Sequence, residues 1–507
     1  MQAIRNIGIM TLLKIIASLL GLLYSILQVN YFGTSSNVEG YFVAASLMYL
    51  VVSLTQAGQL SEIFLPLYHK IKLERGRDAG FTVFSIILNT IGLYLFLGLV
   101  IVFASKDLLV KLIAPGFDAA QQTFTAYIFI AFLPLIFLQV ITSFIITWFN
   151  AEGKFGRVEF LGVVNSFVSV LLLIGFHSKW GVWVLVVSII TGKAVEMLVY
   201  CFMMYRYGYR HQWILSVSYF NRILFFKNMM ATLAYVLATQ FYNIAITSSA
   251  TLLPQGTYAI FSYAQQLYVK ATGFLVQPIQ TFFFSKYSKN VHANVQQEDL
   301  VPKVIRLYFT IYVLILSLVY WAGIDILDIV WRKNTNPDIL VLGAGYLVAN
   351  FATLIFSSIG GVYRKIAISH GEVKTLYSAW VLCQIGSAIS IYLLTSYWGT
   401  MGLTFAILLN LGLLNITSIV IVYIKHYFNN VKALKPIVFK YCLLFIITFS
   451  LTGVIHAYMV DLRCNWFLSK YLNSIFKLAS FSFVVVLLYL ALLSLFGEFK
   501  FLLGKRN

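Results

Sequence analysis

Long apolar blocks run the length of this chain, separated by short polar connections. A membrane-crossing helix needs about 20 apolar residues, because the hydrocarbon layer is about 30 Å thick and each helical residue rises about 1.5 Å. About fourteen blocks meet that requirement. They lie at 7–32, 41–67, 81–104, 123–149, 160–176, 182–204, 224–248, 258–284, 307–330, 339–362, 376–397, 402–423, 437–459 and 472–495. Helices are required, since lipid cannot satisfy exposed backbone groups. The pattern therefore predicts an all-α integral membrane protein of about 14 transmembrane helices.

A weak repeat organises these helices. The second block opens Gly40-Tyr-Phe-Val and closes with Pro66 and a basic loop; the eighth opens Gly256-Thr-Tyr-Ala and closes at Lys286 with another basic stretch. An offset of six helices is even, so the two halves run parallel about an axis along the membrane normal. The expected architecture is two pseudo-symmetric six-helix lobes, 1–215 and 216–430, followed by two additional helices in 431–507. The connections, the longest at 205–222 and 286–306, are too short to hold a soluble domain.

Composition agrees with this reading. Hydrophobic residues make up 60% of the 507, charged residues 10%, and the mean hydropathy is +0.87. The net charge of +19 would suggest nucleic acid in a soluble protein. Here it is topogenic, and no nucleic-acid partner is expected. With the N-terminus inside, the cytoplasmic segments carry about 25 Lys and Arg against about 7 outside, so both termini are expected in the cytoplasm. The first block is too long for a signal peptide and is read as an uncleaved span. The segment after the third block, from Lys106 to Ile113, is amphipathic and is expected along the outer interface. Of four cysteines, Cys201, Cys383 and Cys442 fall within spans and Cys464 in an outer loop, so no disulfide framework is implied.

Charges inside the spans carry the candidate chemistry, because each costs several kcal/mol if it faces lipid. Lys270 lies near the middle of the eighth span, with Gln266 one turn before it on the same helical face and Gln277 and Gln280 further along. Lys193 and Glu196 in the sixth span are three residues apart and can pair with each other. Lys14 lies about two turns into the first span, and Gln56, Gln59 and Glu62 give the second a polar half. Asp325 and Asp328 close the ninth span near the outer face, and Lys477 lies near the outer end of the last. The candidate substrate-binding set is Lys270, Gln266, Lys14, Gln56, Glu62, Lys193 and Glu196. Catalysis finds little support. The seven histidines scatter without ligand spacing, and no glycine-rich phosphate loop is present. No enzyme activity, metal or cofactor is expected.

Several short segments carry a family resemblance. Gly33 is followed by Gly40-Tyr-Phe-Val-Ala-Ala and Leu60-Ser-Glu-Ile-Phe-Leu-Pro66; then come Ile113-Ala-Pro-Gly-Phe-Asp118, Phe149-Asn-Ala-Glu-Gly-Lys154-Phe155 and Asn165. This series resembles the MviN/MurJ family of lipid II flippases, part of the superfamily of multidrug, oligosaccharide-lipid and polysaccharide exporters. The resemblance implies two lobes around a central cavity, alternating access, and two last helices that add a groove for a lipid tail. It implies a bacterial inner-membrane protein, a monomer, that moves a polyprenyl-pyrophosphate-linked sugar to the outer leaflet. Its partners would be that substrate, membrane lipids and cell-envelope glycan polymerases. Where the family carries cations and an acid in the first span, this chain has Tyr24, Ser25 and Asn30; in the second it has Val51, Val52 and Ser53. The eighth-span Arg of the family aligns with Gln266, and Lys270 restores a cation to that face. The substrate is thus lipid II or a polysaccharide or O-antigen repeat unit; the alternative is a cation-coupled multidrug-type exporter.

Overall fold

The structure, a computed structural model, describes residues 2–55, 60–152, 154–221, 223, 225, 233–276, 279–280, 283, 287, 300–331, 337–427, 431–461 and 470–499. Of the positions singled out above, Gln56, Gln59, Gln277, Lys286 and Cys464 lie outside the described residues. The chain divides into two compact units, Met1–Ala259 and Ile260–Asn507. Every named element among the described residues is an α-helix.

The first unit holds α1 (Gln2–Phe32), α2 (Ser36–Leu54), α3 (Leu60–Arg75), α4 (Arg77–Ala104), α5 (Lys106–Ile113), α6 (Ala119–Ala131), α7 (Leu133–Ala151), α8 (Phe155–Trp180), α9 (Trp183–Arg206), α10 (Leu233–Thr251) and the start of α11 (Thr257–Leu275). The rest of α11 belongs to the second unit, with α12 (Leu300–Val330), α13 (Pro337–Ala352), α14 (Leu354–Ser369), α15 (Val373–Ile424), α16 (Val431–Asp461) and α17 (Lys470–Leu495).

Among the described residues, 11 helical stretches are long and apolar enough to cross a membrane. One of them, the 52-residue α15, contains two of the predicted blocks, 376–397 and 402–423; the backbone turns between them at Gly399, whose φ is +53°. The α10 and α11 helices fall outside the eleven because Thr, Ser, Gln and Asn interrupt their apolar runs. Three predicted blocks each fall on two helices, the first of them 41–67, divided between α2, which ends at Leu54, and α3, which starts at Leu60. The block at 123–149 breaks at Phe132, where Pro134 in the first turn of α7 cannot donate to the preceding turn. The block at 339–362 breaks at Thr353, whose hydroxyl donates back to the Asn350 carbonyl at 2.6 Å. The amphipathic expectation for 106–113 is met by α5, which buries Val110 and Ile113 and exposes Leu108 and Leu112.

Several residues behind the family resemblance turn out to be joints. Gly33, with φ +59°, ends α1 in the left-handed conformation that glycine adopts without strain. Gly116 presses on the backbone of Thr251 at the end of α10, and a Cβ there would overlap the Thr251 carbonyl. Two residues on, Asp118 caps α6 by accepting from the Gln121 amide at 2.7 Å. Gly40 on α2 lies against Thr125 and Phe124 of α6. Small residues allow helix backbones to approach closely, and van der Waals contact is what holds helices together in lipid.

In the second unit α12, α16 and α17 pack through Val313, Tyr441, Leu444 and Tyr489 at one level and Ala322, Phe481 and Val485 at another. One end of this trio is locked by Glu498, just past α17. Its carboxylate accepts from Arg306 on α12, from Lys440 of α16 at 2.7 Å and from the Tyr441 hydroxyl at 2.9 Å. Burial pushes the Glu498 carboxyl up, but the Arg306 and Lys440 hydrogen bonds outweigh it and hold it below the usual carboxylate range.

Glycine contacts at two neighbouring sites yield opposite expectations. A Cβ at Gly360 would meet the Asn415 side chain including its Cβ, which moves only with the helix, whereas at Gly361 it would meet the far end of the Gln280 amide. Gly360→Ala should therefore lower the detergent-solubilised melting temperature clearly, as overpacking of about 1–3 kcal/mol does. Gly361→Ala should shift it little, because Gln280 can swing aside. Gly116→Ala belongs with Gly360→Ala. Equal melting temperatures for all three variants would contradict these contacts.

Candidate functional site

The first unit carries a polar seam between α1, α8 and α9. Lys193 and Glu196 lie on one face of α9, as their spacing requires, and Lys193 Nζ donates to Glu196 Oε2 at 2.9 Å. Asn165 of α8 donates to the same oxygen, also at 2.9 Å. Both members of the pair are buried. Gly192 lets α9 approach α8 here, since a Cβ would run into Asn165 and Ser169. Further along, Ser169 donates to the Ser188 carbonyl at 3.2 Å, and Tyr24 of α1 shares a 2.9 Å hydrogen bond with the Ser188 hydroxyl. So at Tyr24, where the resemblance expects charge, a neutral hydroxyl joins α1 to α9. Ser25 donates within its own helix, to the Gly21 carbonyl at 3.1 Å.

The other described candidate positions lie on helices other than α9. Lys14 sits on an exposed face of α1 among the exposed apolar side chains of Leu12, Ile15 and Ile16. Glu62 falls on α3, and Gln56 lies outside the described residues. On α11, Gln266 and Lys270 are one turn apart and both half-buried. This helix packs through Phe261 against Tyr346, ring centroids 5.8 Å apart, and through Tyr268 against Phe351, 5.6 Å apart. Those aromatic contacts to α13 fix the rotation of α11 and so the face that presents Lys270. Of the seven candidates, Lys193 and Glu196 are brought into contact with each other.

A cluster where the C-terminal ends of α3 and α7 meet was not among the candidates. Glu152, inside the resemblance segment 149–155, accepts from Lys72 Nζ and from the Tyr68 hydroxyl, each at 2.7 Å. Trp148 donates to the Tyr68 oxygen at 3.2 Å. Burial pushes the Glu152 carboxyl up, but the hydrogen bonds from Lys72 and Tyr68 prevail and hold it below its ordinary value. Beside it Lys154 and Arg157 both stand over the Tyr207 ring, at 5.7 and 4.8 Å. The sequence signal was present: a Glu following an apolar span, with basic loops on either side. Only the fold shows that Lys72, 80 residues earlier, supplies the partner.

Chemically, these groups can hold and orient anions and polar head groups. Among the described residues no His, Cys, Asp or Glu cluster has the arrangement to hold a metal ion.

The Glu152 cluster generates a pH-dependent expectation. A carboxylate whose folded value is lowered contributes stability above its unfolded value, near 4.5, and loses it as pH falls through the folded value. Glu152→Gln should therefore lower the melting temperature at pH 7, by the equivalent of about 1.5–3 kcal/mol for a charged hydrogen bond. The difference from the unmodified protein should hold above the unfolded value and close as pH falls through the lower folded value. A pH series of thermal denaturation in detergent checks both parts; a gap independent of pH would show that Glu152 acts through packing alone.

Comparison with known proteins bears on this arrangement. The model of the family described as lipid II flippase MurJ matches residues 28–477. A probable lipid II flippase MurJ of Buchnera aphidicola subsp. Acyrthosiphon pisum (strain APS) is 22% identical over 518 residues, covering 98% of each chain. One from Rickettsia prowazekii (strain Madrid E) is also 22% identical, over 73% of this chain and 76% of its own. Among solved structures, a lipid II flippase MurJ in an inward closed conformation superposes with a TM-score of 0.77 at 14% identity, over 95% of this chain and 98% of that one. An inward-facing MATE-family multidrug resistance transporter reaches 0.64 at 13% identity, over 81% and 94%. The shared fold extends to both transporters, but the family model, starting after Tyr24, spans the α8–α9 part of the polar seam, the Glu152 cluster and the whole of α11. The chain belongs to the MurJ lipid II flippase family.

Proposed function

We propose that this protein is a flippase. It moves a polyprenyl-pyrophosphate-linked sugar precursor, lipid II or a polysaccharide or O-antigen repeat unit, from the inner to the outer leaflet by alternating access. The observation that carries this reading is the family match over residues 28–477. A bundle that is apolar outside and cationic at a few inner positions suits such a cargo: the pyrophosphate has to leave water and be paired, and the lipid tail does not.

Within this reading the lobes are 1–215 and 216–430, with 431–507 as the added pair of helices. Lys270 is the main cation for the pyrophosphate, with Gln266 beside it; Lys14, Gln56, Glu62, Lys193 and Glu196 complete the substrate-facing set. The Lys193–Glu196 pair with Asn165 then serves to hold α8 and α9 together while the lobe moves as one body. The protein works as a monomer without catalysis and hands its cargo to glycan polymerases. Both termini are cytoplasmic, which the basic loops favour. The MATE likeness supports a second reading, export of a small molecule on the same fold. That reading wants an exchangeable carboxylate, and Glu196 is already engaged by Lys193 and Asn165.

The test is rescue of a strain depleted of its essential lipid II flippase, scored by survival and by lipid II in the outer leaflet. The unmodified protein should rescue, Lys270→Arg should retain most of the activity, and Lys270→Ala should lower flipping by about tenfold or more, the loss of one charge-assisted contact. Failure to rescue despite membrane expression would exclude lipid II and leave a polysaccharide repeat unit. Full rescue by Lys270→Ala would overturn the assignment of Lys270.

A further inference from the structure

A cavity of about 110 Å³ opens between the ends of α12, α16 and the start of α17. Its polar lining is Asp325 and Asp328 from α12, His456 from α16, and Ser474 and Lys477 from α17. His456 Nε2 and Asp325 Oδ2 are 2.9 Å apart, so the α12 and α16 sides of the cavity are joined directly. The apolar wall includes Met459 and Phe481, the latter edge-on to the His456 ring at 5.4 Å. Close approach of α12 and α16 behind the cavity is fixed at Gly453, where a Cβ would run into Trp321.

The position of this cavity along the helices identifies what reaches it. From Arg306, in the Glu498 lock, to Asp325 is 19 residues of continuous helix, about 28 Å of rise. That is close to the thickness of the hydrocarbon layer, about 30 Å. The two polar clusters of this helix trio therefore sit at opposite faces of the bilayer, and the cavity lies at headgroup level. Around it, Ile324, Val454, Tyr458 and Leu472 are exposed, a surface for acyl chains.

The lining combines both signs. Two carboxylates would repel an anionic headgroup, and the Lys477 ammonium would repel a bare cation. A group carrying an ammonium and a phosphate together satisfies both. We propose that this cavity binds the zwitterionic headgroup of an aminophospholipid of the phosphatidylethanolamine type. Its ammonium is taken by Asp325 and Asp328, its phosphate by Lys477 and the Ser474 hydroxyl, and its glycerol end lies against Met459 and Phe481. The bound lipid fills the cleft between α12 and the α16–α17 pair and holds that pair in place. The inference requires only that the chain spans a bilayer, so it stands whether or not lipid II is the cargo.

The experiment is native mass spectrometry of the full chain released from nanodiscs containing equal parts of phosphatidylethanolamine, phosphatidylglycerol and phosphatidylcholine. One phosphatidylethanolamine should survive activation that strips the other two, with a preference of about tenfold. Phosphatidylcholine cannot donate hydrogen bonds from its quaternary ammonium and serves as the internal control for the carboxylates. Lys477→Met and the double variant Asp325→Asn with Asp328→Asn should each abolish the preference, while Lys440→Met at the opposite end should leave it intact. Soluble phosphoethanolamine at millimolar concentration should not compete, since it lacks the acyl chains. Equal retention of the three lipids by the unmodified protein would overturn the proposal, and so would a preference that survives both sets of substitutions.

Discussion

Hydrocarbon offers no hydrogen bonds, and a polar group placed among the spans is stabilised by a partner inside the protein. That constraint accounts for the character of the buried contacts. Thr125, Thr142, Ser143, Thr147 and Ser166 return their hydroxyl protons to carbonyls one turn back in their own helices. Lys193 and Glu196 neutralise each other on α9, and Asn165 adds a donor from the neighbouring helix. Burying such a pair costs several kcal/mol per ion unless the geometry is good and further hydrogen bonds are made, and here both conditions hold.

The same constraint explains why the segments that mark the family are mostly joints. A transporter has to change shape without unravelling, and in lipid the hydrophobic effect does not hold helices together. Close packing and a few strong polar contacts take over that task. Gly116 seats the 113–118 segment on the end of α10, Asp118 caps α6, and Glu152 ties α7 to α3 through Lys72 and Tyr68. Residues of this kind tolerate few replacements, whereas residues facing a cargo change when the cargo does. The neutral Tyr24 in α1 is itself a joint, its hydroxyl meeting Ser188 of α9 at 2.9 Å.

The second unit shows how α16 and α17 are fastened. A carboxylate beyond the end of α17 draws in a cation from α12 and another from α16, while Trp321 of α12 donates to the Phe449 carbonyl of α16 at 3.0 Å. Between these contacts apolar packing is joined by a polar link, in which Thr310 of α12 shares a 2.6 Å hydrogen bond with the Tyr441 hydroxyl of α16 and Tyr489 of α17 donates to the Thr310 carbonyl at 2.7 Å. The trio is thus held by polar contacts spaced along its length and packed by shape between them.

The sequence by itself determined the helical membrane class, the helix-forming blocks and the Lys193–Glu196 pairing, because these depend on local apolar length and on spacing within one helix. It also exposed the amphipathic α5, whose pattern fits within eight residues. Only the tertiary structure decided the breaks at Phe132 and Thr353, of which Pro134 announced just the first. It alone placed Asn165 on Glu196, Lys72 on Glu152 and both Arg306 and Lys440 on Glu498, and it alone gathered Asp325, His456 and Lys477 around one cavity. The bonded pairs among these are separated by 31 to 192 residues in the chain. Hydropathy records how deeply a residue prefers to lie in the bilayer, but not which neighbouring helix will meet it there; that choice is made by close packing among helices whose outer surfaces are nearly alike.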